Sequence, residues 1–346
     1  MQTIGIRRWR LQKVLYDATQ DVDIPIFFGK HVSSVKFIDP RGSLVEIKFT
    51  DGTCSTADVL FGVDGSRSVV RESVIDKEST ESTSRLSYMG VTCIMGTAAV
   101  SQPPSGICFP SSITSECHAC FFPTGVNEQC FQFYFPIPYE RAKQYASSWA
   151  DLSERVGDVE RLELTERLEK DGWDSKYIVP LRQANNTVRT GFCMLRPPLK
   201  KWAYGERRRV VLVGDAAHPP AIYTGQGAQM GLEDVGVIVE LMKRLCLRED
   251  GVLELANFGH AAQIYETIRI PRVHHVLSAA QKMGRMQQKR AMSKKYDKVK
   301  EELLQRDIFF HEHLPELLVG AMHNYNDDLD DALRNEECHI PLLGED

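Results

Sequence analysis

A carboxylate placed just after a buried strand, followed by glycines that open a helix, is an arrangement able to hold a polyol or a phosphate-bearing ligand. Residues 208–239 contain both parts. Val210–Val213 reads as a short buried strand with apolar side chains on both faces, the texture of a parallel sheet covered on both sides. Gly214 ends it and lets a ligand approach the backbone. Asp215 then sits at the C-terminal edge of the strand, where open α/β sheets place their ligands. After a loop with two prolines, Gly225-Gln226-Gly227 opens a helix whose first N–H groups and partial positive charge favour an anion. The inner stripe of that helix reads as Leu232, Val235, Val239 and Met242. A second set of groups follows the apolar Val59–Phe61. There Asp64-Gly65 makes a turn, Ser68 offers a hydroxyl and Arg71 a guanidinium, a combination suited to a pyrophosphate.

Taken as a run, GDAAH (Gly214–His218), GQG (Gly225–Gly227) and ED (Glu233–Asp234) resemble the second flavin motif of the FAD-dependent aromatic hydroxylases, the class of para-hydroxybenzoate and salicylate hydroxylases. Asp64–Arg71 resembles the other long motif of that family, DGxxSxxR, and the two come in the family's order. The resemblance implies that Gly214 and Asp215 meet the ribityl or ribose hydroxyls of FAD. It puts the backbone of Gly225, Gln226 and Gly227 beside the flavin ring. It puts Asp64, Gly65 and Arg71 near the FAD pyrophosphate, a region also linked to NAD(P)H use. Arg8, three residues before Leu11, resembles the arginine that follows the family's first βαβ unit and reaches the pyrophosphate; a solvated arginine is the alternative. No catalytic base is assigned, since His218 and Tyr223 lie in the right loop but either can be structural.

The elements that must position these groups are legible in outline. Residues 8–18 read as a helix with Leu11, Val14, Leu15 and Ala18 on one face. Strands follow at His31–Ile38 and Leu44–Phe49, joined by a turn at Pro40–Ser43, with a second turn at Asp51-Gly52. Aromatic and β-branched residues alternate from about 86 to 136 between Ser, Pro and Gly clusters, which reads as an antiparallel sheet. Helices are expected near Tyr139–Trp149 and Ser153–Lys170. In the resembled family the substrate lies between such a sheet and the flavin; Phe121, Phe133 and Phe135 line that pocket or, the stronger reading, form core. A long helical region from Leu253 to Arg306 is expected to kink at Pro271. Within it Tyr265–Arg272 resembles the family's helix after the second motif, and the basic Lys282–Lys300 reads as a solvated face. The fold class is therefore α/β with an α+β substrate lobe: an incomplete Rossmann-like FAD-binding fold with an inserted antiparallel β-sheet substrate domain and C-terminal helices. Its segments are 1–85 (partial FAD-binding), 86–195 (β-rich substrate domain), 196–250 (FAD-binding, continued) and 251–346 (helical).

Composition narrows the setting. The 346 residues are 42% hydrophobic with a net charge of −5, an ordinary globular balance that gives no reason to expect nucleic acid. No apolar run approaches the ~20 residues of a membrane span. Residues 1–10 carry arginines but no apolar core of a signal peptide. The nine scattered cysteines fit a reducing cytoplasm. Cys117-His118-Ala119-Cys120 is a CxxC without a second pair and reads as incidental, so no metal is expected.

Three departures from the family stand out. No GxGxxG occurs, and the first residues read as the helix that normally follows the first βαβ unit. In the family fold the absent strand lies beside Val210–Val213. Orphaned backbone groups there cost about 1–3 kcal/mol each against a total stability of about 5–15 kcal/mol. The expectation is an incomplete gene model, a chain completed by an upstream segment or a partner chain, or a remodelled fold. Ile222 stands where the family usually has proline, and Val63 stands where alanine is usual and is expected to crowd a tight turn. The resemblance implies an FAD-dependent monooxygenase that uses NAD(P)H and O2 to hydroxylate an aromatic or polyketide-like small molecule. The alternatives are a non-redox cyclase or isomerase on the same scaffold, or an inactive remnant.

Overall fold

The computed structural model describes residues 6–39, 41, 43–75, 85–103, 106–112, 116–142, 153–219, 222–292 and 325–337. In chain order the elements are α1 (Arg8–Gln20), β1 (Val32–Phe37), β2 (Val45–Phe49), β3 (Cys54–Ala57), β4 (Leu60–Gly62), α2 (Val69–Val74), β5 (Arg85–Ala99), β6 (Ser111–Ser112), β7 (Cys117–Gly125), β8 (Glu128–Pro136), α3 (Tyr139–Ala142), β9 (Ser153–Arg155), α4 (Asp158–Lys170), α5 (Ser175–Gln183), β10 (Asn186–Arg196), β11 (Ala203–Tyr204), β12 (Val210–Leu212), α6 (Gly227–Leu245), α7 (Phe258–Met292) and α8 (Tyr325–Glu337). They form two compact units. One is built from Met1–Phe28, Tyr88–Phe192 and Gly284–Phe310, the other from Gly29–Ser87, Cys193–Met283 and His311–Asp346. Sequence texture grouped the N-terminal helix with the first cofactor-binding segment; by packing it clusters with the six-stranded sheet.

The unit that contains both glycine–acid motifs is built on β12. Val210, Val211 and Leu212 are all buried, as their apolar run requires. Along one edge β12 pairs parallel with β4, Val210 opposite Leu60 and Leu212 opposite Gly62. Along the other it pairs antiparallel with β11, Val211 opposite Ala203. This corrects the expectation of an empty place beside Val210–Val213. A fully buried strand must satisfy its donors and acceptors on both sides, and Ala203–Tyr204 supplies the second ladder. Glu266 of α7 holds β11 there, its carboxylate accepting from the Trp202 amide at 2.6 Å and the Ala203 amide at 2.9 Å. In the order β11-β12-β4 both outer strands lack a second strand partner among the described residues: Glu266 meets amides of the β11 segment, and β4 presents the other edge.

A three-stranded antiparallel sheet, β1-β2-β3, packs in the same unit with Val35 and Val45 inward. In the turn ahead of β2 the Asp39 carboxylate accepts from the amides of Arg41, Ser43 and Leu44, each at 2.9 Å. Pro40 and Gly42 of that predicted turn lie outside the described residues. α6 turns Met230, Asp234, Val237 and Leu241 inward. Of the stripe expected inside, Met242 packs partly buried against the core, but Leu232, Val235 and Val239 are exposed, Leu232 by 58%. α6 carries two apolar stripes, and the one that holds Asp234 is buried because its carboxylate finds partners there. α7 runs unbroken through Pro271 and is described as far as Met292. The predicted helix from there to Arg306, with Lys294, Lys295 and Lys298, lies outside the described residues.

The other unit is a six-stranded sheet in the order β6-β7-β8-β5-β10-β9. On one face Ile94, Ala119, Phe121, Phe131, Phe133 and Phe135 pack with Leu164, Leu168, Ile178 and Leu181 of α4 and α5. Phe121, Phe133 and Phe135 are therefore core. The neighbouring positions turn to the opposite face, where the His118 ring stacks on Tyr134 at 4.7 Å. Cys117 and Cys120 are buried free thiols on β7, and the described residues contain no metal-binding cluster. The predicted helix Ser153–Lys170 begins only at Asp158; Ser153–Arg155 is instead a strand paired with Val188–Thr190. The predicted Tyr139–Trp149 helix is described only over Tyr139–Ala142. α1 forms where expected, but none of its residues is buried. The Arg7 guanidinium, just ahead of it, pairs with Glu128 of β8.

Two outcomes follow from this packing. Burial holds the His118 imidazole down at about 4. The unfolded ring takes its proton near 6.5, so the stability present above that value is lost as pH falls toward 4, by about 3 kcal/mol. His118→Phe flattens that part of the stability profile, as read by urea unfolding at a series of pH values. Gly62 has no room for a methyl: a Cβ would meet Val70 Cγ1 at 2.8 Å and Leu212 Cδ2 at 3.0 Å. Gly62→Ala is expected to cost about 1–3 kcal/mol in the same assay.

Candidate cofactor site

Because β4 and β12 run parallel, the turns that follow them emerge at the same end of the sheet. After β4, Asp64 caps α2: its Oδ2 accepts from the Val70 amide at 3.0 Å and its Oδ1 from the Ser68 hydroxyl. Ser68 Oγ in turn accepts from the Arg71 amide at 2.9 Å. Gly65 adopts φ +82°, and no atom lies within 4 Å of where a Cβ would stand. Arg71 is only 2% exposed. Its Nη1 donates to the Ala216 carbonyl at 2.9 Å and its Nη2 to the Ser66 carbonyl at 2.8 Å. Burial lowers its pKa, partly offset by Glu72. Arg71 thus braces one turn against the other. Val63, expected to crowd this region, is 65% exposed.

After β12, Gly214 turns the chain at φ +60° into a short 3-10 turn, Gly214–Ala216. Asp215 is exposed while Leu212–Gly214 and Ala216–His218 on either side are buried. Ile222 falls in a second 3-10 turn, Ile222–Thr224. Gly225 has φ +64° with open space around it. Gln226 stands at the start of the 19-residue α6, which begins at Gly227; no side chain caps it and its first turn holds no acid. The same unit therefore brings together Asp64, Gly65, Arg71, Gly214, Asp215, Gly225, Gln226 and Gly227. Arg8 belongs to the other unit, at the exposed start of α1, with no hydrogen bond or ion pair to a described residue.

Behind the Gly214 turn lies a buried ionic cluster to which the sequence assigned no role. Asp234 accepts from the Gly214 amide at 2.8 Å, from His218 Nε2 at 2.6 Å and from Arg269 Nε at 2.8 Å. Burial pushes its carboxyl upward, but His218 and Arg269 hold it below the usual aspartate range. Glu233 pairs with both Arg269 and Arg272. The Tyr265 hydroxyl donates to the Leu212 carbonyl at 3.1 Å, and the Trp202 ring lies 4.8 Å from that of His218. His218 is thus a structural member of the loop. Glu233-Asp234 and Tyr265–Arg272 were both visible as motif residues; that they meet in the interior was not.

These groups fit a diphosphate-bearing polyol. An exposed carboxylate suits hydroxyls, glycines with positive φ let backbone amides approach closely, and an uncapped helix start suits negative charge. The sequence model of the family described as "FAD binding domain" matches residues 1–252. The chain is 28% identical over 257 residues to 6-hydroxynicotinate 3-monooxygenase of Pseudomonas fluorescens, covering 73% of this chain and 59% of that protein. It is 28% identical over 291 residues to aurachin C monooxygenase/isomerase of Stigmatella aurantiaca, covering 82% of this chain and 64% of that one. Among solved structures, a Klebsiella pneumoniae HpxO variant complexed with FAD superposes with a TM-score of 0.65 at 21% identity, over 91% of this chain and 74% of that one. The chain thus spans about three fifths of the length of these curated relatives, and it shares the fold of the superposed structure. With both glycine–acid turns inside the matched region, the chain belongs to the FAD binding domain family.

Proposed function

We propose that this chain serves an FAD-dependent monooxygenase that hydroxylates an aromatic or polyketide-like small molecule at the expense of NAD(P)H and O2. The overall balance is substrate–H, O2, NAD(P)H and a proton giving substrate–OH, NAD(P)+ and water. The observation that carries the reading is Asp215, exposed between buried neighbours and followed by the uncapped α6. The names of the relatives support it, since both are monooxygenases. FAD, when bound, would supply the redox chemistry and the activation of oxygen. The chain's own residues bind and orient. Asp215 takes the polyol hydroxyls. Gly214, Gly225, Gln226 and Gly227 offer backbone amides without obstruction. Asp64 and Gly65 shape the neighbouring turn for the pyrophosphate, and Arg71 serves the site from the interior by holding that turn to the Ala216 carbonyl. The segments 1–85 and 196–250 are proposed as the cofactor-binding part, 86–195 as the substrate domain and 251–346 as the helical part. The open edge of β4 is where an additional strand, from an upstream segment or a partner chain, would extend the sheet. The described cysteines are free thiols and no described helix is long and apolar enough to cross a membrane, which supports a cytoplasmic setting.

A second reading, isomerisation or cyclisation on the same scaffold, is favoured by the relative named as both monooxygenase and isomerase. The two separate on reduction by NAD(P)H. Titration of the purified chain with FAD, followed by visible absorbance, is expected to give stoichiometric binding, and NAD(P)H is expected to bleach the flavin band. Asp215→Ala is expected to weaken FAD by about tenfold or more, a loss of about 1.4 kcal/mol. A folded chain that takes up no flavin overturns the reading; bound flavin that NAD(P)H never bleaches leaves the non-redox one.

A further inference from the structure

We infer that Asp234 is a positioning residue for the cofactor turn: from the interior, it sets the conformation of Gly214–His218 and so the direction of Asp215. The inference rests on the flavin reading of that turn, and on a geometry that exists without the flavin.

The two ends of the turn converge on one carboxylate oxygen. Asp234 Oδ2 accepts from the Gly214 amide at 2.8 Å and from His218 Nε2 at 2.6 Å. The ends are also joined directly, since the amides of Ala217 and His218 both donate to the Gly214 carbonyl at 2.9 Å. The middle is fixed separately by Arg71, through the Ala216 carbonyl. Asp215 is exposed, while every other residue from Leu212 to His218 is buried. The backbone on either side of it is held at Gly214, Ala216 and His218, and that backbone sets the direction in which its side chain leaves the turn.

Asp234 is well suited to act as that anchor. It is 0% exposed and lies on the inner face of α6, the helix whose start completes the site. Its second oxygen accepts from Arg269 Nε at 2.8 Å, and Arg269 is itself fully buried and bonded to the Met230 carbonyl at 3.1 Å. The carboxylate is thus held by α7 on one side while it holds the turn on the other. α6 also comes close to the turn at a point where neither partner has a side chain: a Cβ on Gly214 would stand 3.7 Å from Gly231 Cα. A fully buried charge is a poor means of adding stability, because an apolar residue of the same size packs as well without the desolvation penalty. What a carboxylate supplies here, and an apolar residue cannot, is an acceptor for the buried Gly214 amide. The bond also sets the imidazole. Its Nε2 edge is the one turned to the carboxylate.

The test separates positioning from general stability. Asp234→Asn keeps the size but replaces one acceptor with a donor. Val237→Ala removes buried apolar volume from the same face of α6 without touching the turn, and serves as a control for lost melting temperature. Amide exchange of Gly214 is measured in the cofactor-free protein, and FAD affinity by titration. Asp234→Asn is expected to speed Gly214 exchange at least tenfold and to weaken FAD about tenfold, while Val237→Ala changes either by less than twofold. If the two variants behave alike in both readouts, the inference is overturned. Should Asp234→Asn fail to fold, His218→Leu, which frees one end of the turn, is expected to weaken FAD in the same way. In the wild-type protein, fast exchange at Gly214 overturns the inference by itself. Protected Gly214 in a chain that ignores FAD would support the anchor and sink the flavin reading alone.

Discussion

Two three-residue strands that run parallel decide where the chemistry of this chain is located. Leu60–Gly62 and Val210–Leu212 are joined in register, so each delivers the turn that follows it to the same end of the sheet. Had they run antiparallel, the two turns would stand a strand length apart, roughly 10 Å at ~3.3 Å per residue. Instead Arg71, just past one turn, reaches the Ala216 carbonyl in the other at 2.9 Å. Neither strand is stable alone. β12 depends on β11 at its second edge, and β11 depends on the Glu266 carboxylate, so a helix more than fifty residues downstream helps place Asp215.

The two units spend burial differently. In the sheet unit the interior is aromatic, with Phe121, Phe131 and Phe133 packed edge to face or tilted against one another and against Trp173. Such a core is tolerant of volume-conserving change and positions nothing by charge. In the other unit the interior carries Asp234, Arg269 and the Arg71 guanidinium, all directed at backbone groups of the site or at each other. Burying these ions is costly, and their hydrogen bonds offset that cost in part, since Arg71 Nε is buried with no hydrogen-bond partner among the described residues. The cluster is therefore a device for holding backbone in place, consistent with the open glycine turns it supports.

Local pattern made the site's outline legible. Val210–Val213, Gly214-Asp215, Gly225–Gly227 and Asp64–Arg71 each declare their role within a dozen residues, because a strand end, a positive-φ glycine and a helix start are local events. Whatever depends on distant pairing was hidden. Asp234 looks like a solvated acid until Arg269, thirty-five positions on, is seen beside it. The inner face of α6 was misread for the same reason, since hydrophobicity alone favours Leu232, Val235 and Val239 over a stripe with a carboxylate in it. β9 was misread as helix because its strand partner, Val188–Thr190, comes after two intervening helices. α5 escaped notice with Pro180 in its interior. The neighbours of β12 are a matter of topology, and no local feature of Ala203–Tyr204 announces them.

The contact between Trp202 and His218 gives this architecture an optical handle. The indole is buried and its ring centre lies 4.8 Å from the imidazole that closes the Gly214 turn. Trp9, by contrast, lies on the exposed α1. A water-soluble quencher would silence Trp9 and leave Trp202 emitting. The chain has three other tryptophans, so the emission that Trp202→Phe removes is the part that comes from the indole beside the imidazole bonded to Asp234, and through it the state of the turn could be followed by fluorescence with no label attached.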